Sequence, residues 1–261
     1  TAVQESKERV WSAIKNTGLD MPRFHTTVNL APADIKKQGP AYDLPIALSI
    51  LVAAGQISEN ARTQNLFIGE LALNGNLRPV NGVLPITLMA KGKGFDKIFV
   101  PELNAKEAGL IPGIEVIPVK SLGQLVLYFK NKIEIEPHIS NPDDFENEID
   151  TGYDFSFIRG QEHVKRALEI AAAGAHNILM SGPPGSGKTL LARAIPSILP
   201  KMTLDESLEV TKIYSVAGSL PENKPLINDR PFRSPHHTAS GVALVGGGVW
   251  PRPGEISLAH R

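Results

Sequence analysis

A chain of 261 residues, 42% hydrophobic and 21% charged, has enough apolar material for two cored domains and too much for wholesale disorder. Lys plus Arg equals Asp plus Glu at 27 each, which removes a global electrostatic case for a polyanion partner but leaves room for local basic groups. The absence of cysteine excludes disulfides and thiolate metal sites, and no apolar run approaches the ~20 residues of a membrane-spanning helix, so the default expectation is a cytosolic, cytoplasmic protein with no membrane partner.

Residues Val3 to Lys15 place Val10, Trp11 and Ile14 on one side of a helix that Gly18 would stop. Phe24, Thr26, Val28 and Leu30 alternate as a half-buried strand. Pro45 to Ala54 reads as a buried helix, started by proline and ended by Gly55. Leu66 to Leu73 and Leu77 to Val80 flank Asn74-Gly75-Asn76, a hairpin signal. A helix over Leu84 to Ala90, strands at Lys97 to Val100 and Ile114 to Val119, and a helix from Ser121 to Phe129 follow. This alternation predicts an α/β or α+β domain over 1–131.

An acidic linker is expected over 132–154. Glu134, Glu136, Asp143, Asp144, Glu146, Glu148 and Asp150 occur there with no lysine or arginine between Ile133 and Asp150, and Pro137 and Pro142 interrupt the run. A second α/β domain, 155–261, opens with Phe157-Ile158-Arg159-Gly160-Gln161 and a helix running through Ala173. Asn177-Ile178-Leu179-Met180 reads as a short buried strand and Leu190 to Ile195 as a helix. Between them Gly182-Pro183-Pro184-Gly185-Ser186-Gly187-Lys188-Thr189 spells a complete P-loop. Its glycines permit backbone conformations closed to residues with a Cβ, so successive N–H groups can point at β- and γ-phosphate oxygens. The helix N-terminus adds its positive end. Lys188 supplies a point charge to the same oxygens, and the Thr189 hydroxyl suits a Mg²⁺ position, so ATP with Mg²⁺ is the expected ligand. Leu204 to Ser215 can form a further helix, while Phe232 to Gly248 is too rich in Gly, His and Ser for an ordinary core element.

An Ile-x-Gly-Gln segment about twenty residues ahead of a P-loop resembles the start of an AAA+ ATPase module, a likeness that carries Ile158, Gly160 and Gln161 into the nucleotide-binding set. Pro231-Phe232-Arg233-Ser234-Pro235-His236-His237-Thr238-Ala239-Ser240, Leu244-Val245-Gly246-Gly247-Gly248 and Pro251 to His260 are similar to the magnesium-chelatase-like ATPases of the YifB/ComM family. Asn29 to Asp34, Tyr42 to Ala47, Gly69 to Leu73 and Gly75 to Arg78 resemble that family's amino-terminal domain, so the resemblance covers essentially the whole chain. It implies a Lon-protease-like, ribosomal-S5-domain-2-like α+β domain followed by the first part of an AAA+ module.

Lon uses a Ser–Lys dyad, a hydroxyl activated by a nearby amine. The matching regions here read Gly39-Pro40-Ala41-Tyr42-Asp43 and Gly82-Val83-Leu84-Pro85, without the serine or the lysine, so no protease activity is expected. The resemblance further implies a homo-hexameric, ATP-driven motor acting on branched or single-stranded DNA by branch migration, with Arg233, His236 and His237 in an insert facing the pore. The residues alone leave DNA contact and loop stabilisation open for the His pair, and phosphate contact or carboxylate pairing open for Arg233 and Arg252. Nothing near the histidines completes a zinc set. The chain opens with Thr1, and the acidic pair expected directly after Arg261 is missing, as are sensor residues and an arginine finger. It reads as a fragment that grips ATP without efficient hydrolysis. The motor subunit of a metal chelatase and a nucleotide-regulated assembly factor without DNA work stand as alternatives.

Overall fold

The computed structural model describes residues 2–22, 25–30, 39–59, 63–141, 152–221, 224–248 and 251–261. The chain divides into two compact units, Thr1–Asn141 and Pro142–Arg261. Phe24, residues 31–34 of the Asn29 to Asp34 string, and the acidic residues from Asp143 to Asp150 lie outside the described residues.

In the first unit α1 (Ala2–Asn16) buries Val10, Ala13 and Ile14, an i, i+3, i+4 stripe, and leaves Trp11 half exposed. Helix α2 (Asp43–Ala53) is buried on several sides because almost every residue after Asp43 is apolar. It begins two residues before Pro45, since proline in the first turn sacrifices an N–H that has no helical acceptor anyway. Strands β1 (Asn65–Phe67), β4 (Lys97–Pro101) and β5 (Glu115–Val119) form a parallel sheet in the order β1-β4-β5. Its central strand sorts side chains by the two-residue period: Phe99 packs with α1 and α2 residues on one face, while Ile98 and Val100 join Val83, Ala105 and Ala108 on the other. Phe67 stacks on Phe99 at 4.7 Å between centroids.

The run Leu66 to Leu73 is two strands, not one. Ile68 still donates to the Phe99 carbonyl, but Gly69 then donates to Ala41, and the chain leaves the parallel sheet as β2 (Glu70–Leu71). A Cβ at Gly69 would lie 3.1 Å from the Leu77 side chain, so glycine permits the crossing. The hairpin forms where expected: β2 pairs antiparallel with β3 (Leu77–Arg78) around Gly75 at φ 85°, and the Asn74 side chain accepts the Asn76 N–H. Thr26, Val28 and Leu30 belong to no strand and are mostly exposed, because alternation by itself does not make a strand where no partner strand lies among the described residues.

Helix α3 (Val83–Gly92) precedes β4, and a short α4 (Ala105–Ala108), unanticipated from sequence, carries Glu107 into the interior. There Glu107 Oε1 accepts the Leu84 N–H at the start of α3, and Asn104 bonds both backbone groups of Val80. Helix α5 (Leu122–Phe129), capped by the Ser121 hydroxyl, closes the core. Residues 133–141, expected to begin a solvated linker, instead stay with the first unit: the His138 N–H bonds Val116, and Ser140 is buried against Lys106.

The second unit contains α6 (Glu162–Gly174), α7 (Lys188–Ala194), α8 (Leu204–Ala217), α9 (Gly241–Val245), the paired β6 (Gly246–Gly247) and β7 (Arg252–Pro253), and α10 (Glu255–Leu258). A full capping box starts α8: Thr203 accepts from Glu206 N, and Glu206 returns the bond to Thr203 N. The strand expected at Asn177 to Met180 is not formed. The segment carries no regular structure and has no partner strand among the described residues, and Leu179 is 94% exposed. A strand is defined by its neighbour, and local sequence cannot supply one.

Candidate functional site

The segment Gly182 to Thr189 leads into α7. Gly185 and Gly187 adopt φ 80° and 86°, so two of the three glycines use the conformational freedom expected of them. Gly182 does not, and its role is space, since a Cβ there would sit 3.3 Å from Ser186 Oγ. Lys188 folds back over the loop, donating to the Gly182 and Pro183 carbonyls at 2.9 and 2.7 Å and to Ser186 Oγ at 3.2 Å. Thr189 is exposed, and its hydroxyl has no partner among the described residues. Pro183 and Pro184 are exposed at the crest. The residues therefore fit a phosphate chain with its cation: a turn with two glycines at positive φ, an ammonium tethered over it, and a Thr189 hydroxyl with no partner among the described residues.

Ile158 is buried with Leu168, Leu191 and Ala194, fixing α7 against α6. Gly160 and Gln161 follow with φ 67° and 58°, two successive left-handed residues, and the Gln161 carbonyl accepts the N–H groups of Val164 and Lys165 at the start of α6. Sequence pattern placed all three near the nucleotide; the structure shows a hydrophobic anchor and a tight turn leading into α6.

Arg233 has a defined partner. Its Nε and Nη2 donate to the two carboxylate oxygens of Glu255 at 2.6 and 2.7 Å, a bidentate pair that joins the 231–240 stretch to α10. Of the two readings left open, carboxylate pairing is the one observed. Hydrogen bonding from Arg233 holds the Glu255 carboxyl below the usual carboxylate range. The pair is therefore intact above the ordinary carboxylate pKa and weakens as pH falls through the lowered folded value. Arg233→Ala is expected to speed amide exchange across Gly241–Leu258 at neutral pH, and acidification to produce the same loosening in the parent chain; unaltered protection factors would contradict the pairing. His236 and His237 lie with ring centroids 4.2 Å apart, both exposed, and Thr238 binds His236 Nδ1 through its hydroxyl and its N–H. No group of three or more potential metal ligands occurs among the described residues. Arg252 is exposed on β7.

Sequence reasoning missed Glu255 as a partner, and it missed a second cluster in which Arg261 donates to Glu209 at 2.6 Å and lies 3.5 Å from Glu206. Both depend on residues more than twenty positions apart, which no local motif announces.

A glycine turn of this geometry opening a helix places the second unit in the P-loop α/β class. Residues 154–261 match the family model described as magnesium chelatase, subunit ChlI, and residues 1–104 match that described as subunit ChlI of Mg-chelatase. The chain is 44% identical over 260 residues to the uncharacterized protein YifB of Escherichia coli, covering all of this chain and 50% of YifB. It is 42% identical over 259 residues to competence protein ComM of Haemophilus influenzae, covering 98% of this chain and 50% of ComM. Over 123 residues it is 30% identical to Lon protease 2 of Bacillus subtilis, 46% of this chain and 22% of that protein. The chain belongs to the YifB/ComM magnesium-chelatase-like family, an AAA+ ATPase-like family, and combines a Lon-like α+β domain with part of an AAA+ module. It spans about half the length of the curated relatives it matches.

Proposed function

We propose that this chain supplies the nucleotide-gripping part of an AAA+ motor that couples ATP hydrolysis to movement on DNA, with branch migration as the work done. The observation that carries the reading is the loop at 182–189, whose tethered Lys188 and free Thr189 hydroxyl match the needs of a triphosphate with Mg²⁺. In this reading the first unit, through Asn141, carries a Lon-like domain without protease function, and 155–261 forms the first part of the ATPase domain. The Gly39 to Asp43 stretch supports the loss of protease function, because fully buried Asp43 there is bonded to Ser6 and Arg9. The name of a competence protein among the relatives supports DNA as the partner. Homo-hexameric assembly and a cytoplasmic site of action complete the proposal.

ATP turnover by the longer protein carrying this chain, measured with and without a four-way DNA junction, tests it. Several-fold stimulation by the junction is the expected result. Hydrolysis indifferent to DNA would reject the motor on DNA while keeping the ATPase. A second reading, the motor subunit of a metal chelatase, is favoured by the description of the matching family models. Turnover that depends on a porphyrin and partner subunits would select it.

A further inference from the structure

The second unit holds an open cavity of about 410 Å³ that shares no residue with the loop at 182–189 or with Ile158, Gly160 and Gln161. Its volume falls within the range of small-molecule sites. One wall is Arg193, near the C-terminal end of α7. Arg193 donates one N–H to the Tyr153 hydroxyl at 2.8 Å, holds its guanidinium 5.3 Å from that ring's centre, and forms no ion pair among the described residues. A guanidinium carries five N–H donors, so most of those on Arg193 have no protein acceptor here. Asp229, Arg230, Phe232 and Ser234 also line the cavity. Arg230 is committed to the carbonyls of Pro200 and Arg261 and lies 3.7 Å from Glu206, so neither its donors nor its charge are free for a ligand. Asp229 is neutralised by Lys224. The Ser234 hydroxyl has no partner among the described residues, and Phe232 leaves 43% of its surface exposed.

An uncommitted guanidinium beside a free hydroxyl and an open aromatic face is the equipment that binds a phosphate next to a planar base. Tyr153 also lines the cavity but its hydroxyl and ring are engaged with Arg193, which leaves Phe232 as the stacking surface. We propose that this cavity is a second phosphate site that takes a nucleoside monophosphate unit, free or as one link of a single strand, with its phosphate on Arg193 and Ser234 and its base on Phe232. The inference stands apart from the ATP and DNA readings, because it uses none of the P-loop residues and names no motor activity.

The test uses this 261-residue chain carrying Lys188→Ala, so that the P-loop does not compete. Adenosine 5′-monophosphate is titrated calorimetrically, and a fluorescein-labelled twelve-residue oligothymidylate is followed by anisotropy. At least one probe should bind, and Arg193→Gln should weaken that binding at least about tenfold, the scale of a lost charge-assisted hydrogen bond. Arg193→Lys should restore part of it by keeping the charge without the fork. Binding of the mononucleotide identifies a free nucleotide as occupant, and binding of the oligonucleotide alone identifies a strand. Since Arg193 sits on a helix, Phe232→Leu outside that helix gives an independent variant, and it should weaken the same probe with the melting temperature unchanged. No binding of either probe, or binding that survives either Arg193→Gln or Phe232→Leu at full strength, overturns the proposal.

Discussion

Lys188→Ala is expected to weaken MgATP binding by at least about a hundredfold, the largest functional effect anticipated for a single side chain here. The ammonium is the one charged group of the loop, and charge-assisted bonds to phosphate oxygens are about twice as strong as neutral ones. Within the loop that charge is satisfied by the Gly182 and Pro183 carbonyls and Ser186 Oγ. A triphosphate must therefore draw the lysine away from three acceptors, which offsets part of what the lysine contributes. The same contacts give the control. Gly182 and Pro183 are exposed, so water replaces the lysine at their carbonyls, and the variant should keep its melting temperature within a few degrees. Lost binding with preserved stability would assign the effect to the phosphate contact. A dissociation constant equal to that of the parent chain would remove the P-loop from the nucleotide site.

The reason Lys188 could be singled out from sequence is that a P-loop is local: eight consecutive residues contain both the turn and the groups it presents. Helix α2 and the hairpin at Asn74 to Asn76 were legible on the same grounds, through an apolar run ended by glycine and through turn chemistry. What stayed hidden depends on distant partners. Leu66 to Leu73 is one apolar stretch in sequence but two strands in space, because Gly69 lets the chain cross between sheets, a choice set by Ala41 and Leu77. Asn177 to Met180 has the composition of a strand and no ladder among the described residues. Tyr153 fell within a segment read as linker, so its partnership with Arg193, forty positions away, carried no signal. Arg233 was legible as a charge and ambiguous as a contact until Glu255 appeared beside it.

Arg9 is the second residue whose loss should be severe, and it too was invisible in the pattern of α1. Asp43 is fully buried at the start of α2, where it accepts from Arg9 Nε at 2.6 Å, Arg9 Nη2 at 3.2 Å, Ser6 Oγ at 2.6 Å and the Leu71 N–H at 3.3 Å. One carboxylate thus ties α1, α2 and β2 together through bonds spanning 28 to 37 residues of sequence. Arg9→Ala removes the countercharge and leaves a buried anion with two neutral donors. Breaking such a pair from one side costs about 3–5 kcal/mol, and the lower end applies because the Arg9 side chain is 22% exposed and water can enter the gap. For a unit of this size the melting temperature should fall by roughly 10 °C. The charge, more than the lost packing, causes the damage, so Arg9→Ala combined with Asp43→Asn should be more stable than Arg9→Ala alone. The asparagine oxygen can still accept the Leu71 N–H while its amide NH2 donates to the Ser6 hydroxyl, which can accept as well as donate, and no uncompensated charge remains. Urea titrations of Arg9→Ala, Asp43→Asn and the double variant decide the matter: a double variant as unstable as the sum of its parts would show that Arg9 acts by filling space, with Asp43 a bystander.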